Sequence, residues 1–189
     1  MAVIHHTTMS PTKMELLTEW LPTQPWYRGG PEAELTKAGG FRLDDPDGEV
    51  GIEFMIVTDA SSDEPGAYLL PLAYRGAPLD GVDEALIGTS EHGVLGTRWI
   101  YDGVHDPVLV ARLTALLRGE TVAQAQNESD TPDPSVRVRV ADLGTAAPVV
   151  HRVLPCPVSA DVSGTVVVSW QRPDGTRAEG VVASAQGAY

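Results

Sequence analysis

Apolar and polar positions alternate with a period of two over residues 49–58, where Val50, Ile52, Phe54 and Ile56 oppose Gly51, Glu53, Met55 and Val57. Side chains of an extended chain point alternately to opposite faces, so the run predicts a β-strand. The apolar residues on its second face predict a central place in a sheet. Residues 68–75, YLLPLAYR, read as its antiparallel neighbour across the polar loop 59–66. Pro71 has no N–H for the ladder and predicts an edge position or a bulge there. A short strand at 39–43 comes before, closed by the turn Asp44-Asp45-Pro46-Asp47-Gly48. Residues 85–90 and 94–102 predict a hairpin through Glu91-His92-Gly93.

The period lengthens to that of a helix in two places. Residues 10–21 open with Ser10 as the expected N-cap and Pro11 at the first helical position, place Met14, Leu17 and Leu21 on one face, and stop at Pro22. Residues 106–119 open with Asp106-Pro107 and carry Leu109, Leu113, Leu116 and Leu117 on one face before Gly119. Apolar content then falls, and residues 123–134 have the Pro, Ser, Asp and Gln mixture of a linker. Beyond it, residues 136–140, 149–154, 164–170 and 177–183 read as a small antiparallel unit of four strands. The pattern therefore predicts an α+β fold: residues 1–122 as a sheet packed with two or more helices, the linker 123–134, and a β-rich unit over 135–189 that leans on the first part for its core.

Composition changes this picture little but excludes several function classes. A chain of 189 residues with 42 % hydrophobic and 21 % charged residues suits a globular protein. The formal charge of −13, from 26 acidic against 13 basic residues, repels phosphate backbones and anionic lipid heads. Nucleic acid and membrane partners are thus not expected, and the N-terminal residues show neither a basic nor an apolar signal region, which points to the cytoplasm.

Candidate chemistry is sparse. His5 and His6 are adjacent and point apart in an extended segment. Asp102-Gly103-Val104-His105-Asp106 gathers two carboxylates and an imidazole, yet Asp106 is wanted as a helix cap, so a strand-to-helix corner is the better reading than a metal site. His92 and His151 are isolated in the sequence. Cys156, the only cysteine, sits between two prolines with no recognisable activating histidine and reads as part of a strand edge. No Gly-x-Ser-x-Gly elbow, phosphate-binding Gly-x-x-x-x-Gly-Lys loop or dinucleotide fingerprint occurs. His105-Asp106 leads into a helix rather than into a kinase catalytic loop with its metal-binding Asn. An enzyme would have to use Glu53, Asp59, Asp102 and Asp106, each of which reads better as a solvated or capping group. No cofactor, metal or catalytic residue is expected.

The order of "LPTQPWYRGG" at 21–30, "GGFRL" at 39–43, "YLLPLAYR" at 68–75 and "LIGTSEHGVLGTRWIYDGVHDPVLVARLTALL" at 86–117 resembles the N-terminal cap domain of the actinobacterial maltokinases, which make maltose 1-phosphate on the route from trehalose to α-glucan. The likeness spans about residues 10–120, and Pro25 stands where the family often carries arginine. It implies a curved antiparallel sheet of cystatin type with helices against it, and a free-standing cap-like protein without the kinase lobes. Its function would be that of a non-catalytic interaction or regulatory module. The partner implied is a carbohydrate-active enzyme or a sugar kinase lacking its own cap. A sugar-binding protein and a kinase-related accessory protein are the alternatives. The residues for contact with partner or ligand are Trp26, Tyr27, Arg28, Trp99, Tyr101 and His105; Trp170 is a further aromatic for stacking on a sugar ring.

Overall fold

The computed structural model describes residues 9–128, 130–141, 143–144, 146–157 and 162–186. His5 and His6 lie outside them. The protein is α+β: among the described residues there are eleven strands in one antiparallel sheet and two α-helices. In chain order these are β1 (Met9–Ser10), α1 (Lys13–Trp20), β2 (Leu35–Leu43), β3 (Val50–Asp59), β4 (Gly66–Arg75), β5 (Leu86–His92), β6 (Gly96–Asp102), α2 (Pro107–Leu117), β7 (Arg137–Arg139), β8 (Val149–Val150), β9 (Val153–Leu154), β10 (Val162–Gln171) and β11 (Arg177–Gln186). The main path across the sheet runs β1-β5-β6-β4-β3-β2-β10-β11-β8, with β7 on β10 and β9 on β4.

β3 takes the central place that its two-sided apolar pattern demands, between β2 and β4. Val50, Ile52, Phe54 and Ile56 face a core completed by Leu109, Leu113, Leu116 and Leu117 of α2, while Met55 and Val57 face Leu17 and Leu21 from the α1 side. One helix thus covers each face. Among the described residues no helix is long and apolar enough to cross a membrane.

Two local expectations are corrected. The cap of α1 is Thr12 rather than Ser10: Thr12 Oγ1 accepts from the Glu15 N–H, and the Glu15 carboxylate accepts from the Thr12 N–H, a reciprocal box in which Ser10 has no part because it pairs with Glu91 in the sheet. Pro71 lies in a strand with partners on both sides, opposite Phe54 of β3 and in register with it. Its other side is tolerated because partners change there. β9 covers Ala67 and Tyr68, β6 covers residues 72–75, and the Pro71 nitrogen falls in the gap between them. Gly103 packs closely beside Pro71, since a Cβ there would come within 3.2 Å of the Pro71 carbonyl and collide with Leu109 Cδ1.

The C-terminal strands join the same sheet where Trp170 of β10 pairs with Gly39 of β2, and Val166, Val168, Trp170, Val182 and Ala183 enter the core beneath α2. Residues 149–154 then cross from one part of the sheet to the other: β8 pairs with β11, the His151 N–H donates to Val182 O, Arg152 O accepts from the Leu69 N–H, and β9 pairs with β4. The stretch that reads as a linker is bonded to the sheet as well, with Gln124 exchanging both backbone hydrogen bonds with Arg42 and Ala123 buried.

Candidate functional site

The segment QPWYRGG forms a corner between the end of α1 and the start of β2. Pro22 lies in a short 3-10 turn that continues α1, and the chain then drops across the ends of β3 and β4. Tyr27 donates its hydroxyl hydrogen to Asp59 Oδ2 at 2.6 Å. The same carboxylate accepts from Ser61 Oγ at 2.9 Å, from the Glu34 N–H at 2.9 Å and from the Ser61 N–H at 3.0 Å. Ser61 Oγ in turn accepts from the Gly30 N–H at 2.8 Å, and the Tyr68 hydroxyl accepts from the Arg28 N–H at 3.3 Å. Asp59, 1 % exposed, is therefore the hub of the corner. Burial alone would raise its pKa, but the bonds from Tyr27, Glu34 and Ser61 outweigh it and hold the carboxyl below its ordinary value. Burial and the bond to Asp59 together push the Tyr27 phenol up to about 12.

The glycine pair has a steric cause. A Cβ on Gly29 would collide with Asp59 Oδ2 and with the Tyr27 hydroxyl, and one on Gly30 would lie 2.9 Å from the Ser61 carbonyl oxygen. Trp26 packs edge-on to Trp20 at 6.1 Å and tilted against Tyr68 at 6.2 Å, while Tyr27 meets Tyr68 at 5.4 Å. Trp26 and Tyr27 are half-buried and Arg28 is exposed. Within the motif, then, the aromatics hold the corner and the guanidinium faces solvent.

Arg152 ties this corner to β6, a link that sequence reasoning missed. Its guanidinium lies over the Trp26 ring, 5.1 Å from the centroid, and bonds both oxygens of Asp102 at 2.5 and 2.6 Å. The residues joined are about 50 and 126 positions apart, so no local pattern marks them. The other proposed contact residues lie in β6, which Asp102 closes, and in the turn after it. Trp99 is half-buried in β6 opposite Arg75, the buried Tyr101 hydroxyl accepts from the Leu79 N–H at 2.8 Å, and His105 is exposed in the 3-10 turn leading to α2.

The four carboxylates that read as solvated or capping groups are all buried: Glu53 6 %, Asp59 1 %, Asp102 5 % and Asp106 0 % exposed. The expected cap at Asp106 is present, with Oδ1 accepting from the Val108 and Leu109 N–H groups, and Arg75 adds bonds at 2.6 and 3.0 Å. Glu53 accepts from Lys13 Nζ at 2.9 Å, from the Tyr74 hydroxyl at 2.7 Å and from Gln126 Nε2 at 2.9 Å. Burial acts to raise the Glu53 pKa; the charge and hydrogen bond of Lys13, with Tyr74 and Lys37, overcome it and lower the value. Among the described residues no group of three or more His, Cys, Asp or Glu is placed to hold a metal ion.

His151 is not isolated, and Cys156 does have a histidine beside it. Cys156 Sγ lies 3.3 Å from His151 Nδ1, and His151 Nε2 lies 2.9 Å from Ser184 Oγ. The signal for the pair was a five-residue spacing across β9, which reads as nothing until the chain is seen to turn after that strand. Next to this turn, a cleft of about 300 Å³ is lined by Thr58, Ala67, Leu154, Pro155, Trp170 and Arg172.

Compared with known families, residues 20–106 match the maltokinase N-terminal cap domain. The match takes in the Trp26–Gly30 corner, β2 to β6 and Asp106. No curated protein matches the chain.

Proposed function

We propose that this chain, whose residues 20–106 form a maltokinase cap-like domain, is a non-catalytic module that binds a carbohydrate-active enzyme of maltose, trehalose or α-glucan metabolism, a sugar kinase above all. The observation that supports it most is the employment of the buried carboxylates. A phosphoryl-transfer site needs carboxylates available to hold Mg²⁺ and to take the proton of the acceptor hydroxyl. Glu53, Asp102 and Asp106 are each bonded to a cationic side chain, and Asp59 to Tyr27, Ser61 and backbone N–H groups. Their acceptor capacity goes to the fold.

Arg28 is the residue best presented for a partner. Its own N–H is bonded to Tyr68, and Gly30 is bonded to Ser61, so an exposed guanidinium stands on a fixed turn. A preorganised arginine loses little freedom on binding, and arginine is enriched at the energetic centres of interfaces. The sugar-stacking alternative has weaker support: Trp170 is only 3 % exposed, and Trp26 is engaged by Trp20, Tyr68 and Arg152.

The test is gentle capture on the immobilised chain from a native lysate of its own cell, with the retained proteins identified by mass spectrometry. Recovery of a sugar kinase or glycan-metabolising enzyme is expected. A chain that itself converts Mg-ATP and maltose or trehalose to a sugar phosphate would overturn the reading.

A further inference from the structure

Outside the corner and the ion pairs, one group of chemically reactive side chains has no part in either. Cys156 Sγ is 3.3 Å from His151 Nδ1, and the opposite ring nitrogen, Nε2, is 2.9 Å from Ser184 Oγ. Ser184 is 2 % exposed and held in the β11 ladder opposite Val149, whereas Cys156 is partly exposed. The arrangement has three members in line: a nucleophile open to solvent, an imidazole against it, and a fixed hydroxyl behind the imidazole. That is the geometry by which a base activates a nucleophile while a third group orients the base.

We propose that Cys156 is a thiol-modification site at which His151 acts as the base, and that its co-reactants are low-molecular-weight disulfides. His151 Nδ1 takes the thiol proton as Sγ attacks one sulfur of the disulfide. A new Sγ–S bond forms and the S–S bond of the reagent breaks. The displaced sulfur leaves as a thiolate and takes a proton from the imidazolium or from water, so Cys156 is oxidised to a mixed disulfide and one reagent sulfur is reduced to a thiol.

Two features of the site favour this course. Burial holds the His151 imidazole below its ordinary pKa, so at neutral pH the ring is uncharged and Nδ1 has a lone pair to offer. With Nδ1 as acceptor, the ring hydrogen sits on Nε2 and is donated to Ser184 Oγ, which holds the plane of the ring. The prolines on either side, Pro155 and Pro157, restrict the backbone that carries the thiol. An adduct on Cys156 would stand beside Pro155, at the cleft that Leu154, Trp170 and Arg172 also line.

The probe is 2-hydroxyethyl disulfide, which is uncharged and so is not repelled by a chain of net charge −13. Intact-mass spectrometry at pH 7 follows a single adduct on the full chain, native or unfolded in urea; the unfolded chain reports the thiol without its neighbours. The native chain is expected to react at least threefold faster than the unfolded one. His151→Ala should slow the native reaction at least fivefold, and added imidazole should restore part of the lost rate; Cys156→Ser should take no adduct. A native chain no faster than the unfolded one would overturn the proposal, as would His151→Ala reacting at the wild-type rate. The comparison of native with unfolded wild type decides the matter even where a variant does not fold.

Discussion

Gly29 shows how much of the corner is steric. Any side chain there must displace either the Asp59 carboxylate or the Tyr27 hydroxyl from their mutual hydrogen bond, so Gly29→Ala is expected to cost about 1–3 kcal/mol in chemical denaturation. Tyr27→Phe removes one of four bonds to Asp59 and leaves the rest, for an expected loss of about 1–2 kcal/mol. The pH dependence has a definite sign. Tyr27 titrates higher in the folded chain than the ordinary phenol value of 10.0, so its contribution is fully present below that pH and fades as pH rises from there towards about 12. Asp59 titrates lower when folded, so its contribution is present at neutral pH and is lost as the solution is acidified below the ordinary aspartate range. A Tyr27→Phe chain should therefore lose less stability than wild type between neutral pH and pH 12, which thermal melts across that range would show. At this scale the motif was legible but its cause was not: two aromatics beside a glycine pair signal a corner, whereas Asp59 and Ser61 are more than 30 positions from Tyr27 and only the fold brings them together.

Among the elements, the N-terminus of α2 is the most heavily secured. Asp106 caps two backbone N–H groups and pairs with Arg75 from β4, so the strand and the helix are fastened at one carboxylate. Asp106→Ala strands a largely buried guanidinium as well as removing a cap, and the expected loss is about 3–5 kcal/mol. Arg152 makes a similar fastening for the segment 149–154. Arg152→Leu leaves Asp102 buried without its cation, for a loss of the same order, and Asp102→Asn in the same chain should return part of it; a double-mutant cycle by urea denaturation measures the coupling. The helix patterns, the alternation in β3 and the pairing of β5 with β6 were readable because local periodicity encodes them. The hairpin, however, turns at residues 93–95, with Glu91 and His92 paired in β5 rather than in the turn. The cap of α1 was misplaced although Thr12-x-x-Glu15 is itself a capping signal, because Ser10-Pro11 offered a second one two residues earlier. Pro71 was misplaced because proline marks a missing donor, and a gap between two partner strands meets that need as well as an edge does.

Over the whole molecule, the core beneath α2 draws on both halves of the sequence, from Phe41 and Phe54, stacked at 4.6 Å, to Trp170 and Val182. The chain is accordingly expected to unfold in one transition, and a fragment ending at residue 134, without Val166, Val168 and Trp170 over that core, should not show cooperative melting by circular dichroism. The cap-like organisation was legible because it is carried by continuous motifs, and residues 20–106 match the cap family. The Arg152 bridge and the His151–Cys156 pair were not, since both depend on where residues 149–154 cross the sheet.

In the proposed function the corner serves the fold through Tyr27, Asp59 and Gly29 and would serve a partner through Arg28. The most direct test of that proposal is the affinity of the enzyme captured by the chain for wild type and for Arg28→Ala, measured alongside the melting temperature of each. Binding weakened at least tenfold, about 1.4 kcal/mol, is expected with an unchanged melting temperature. Equal affinities, or a melting temperature that falls with the loss of the guanidinium, would contradict it.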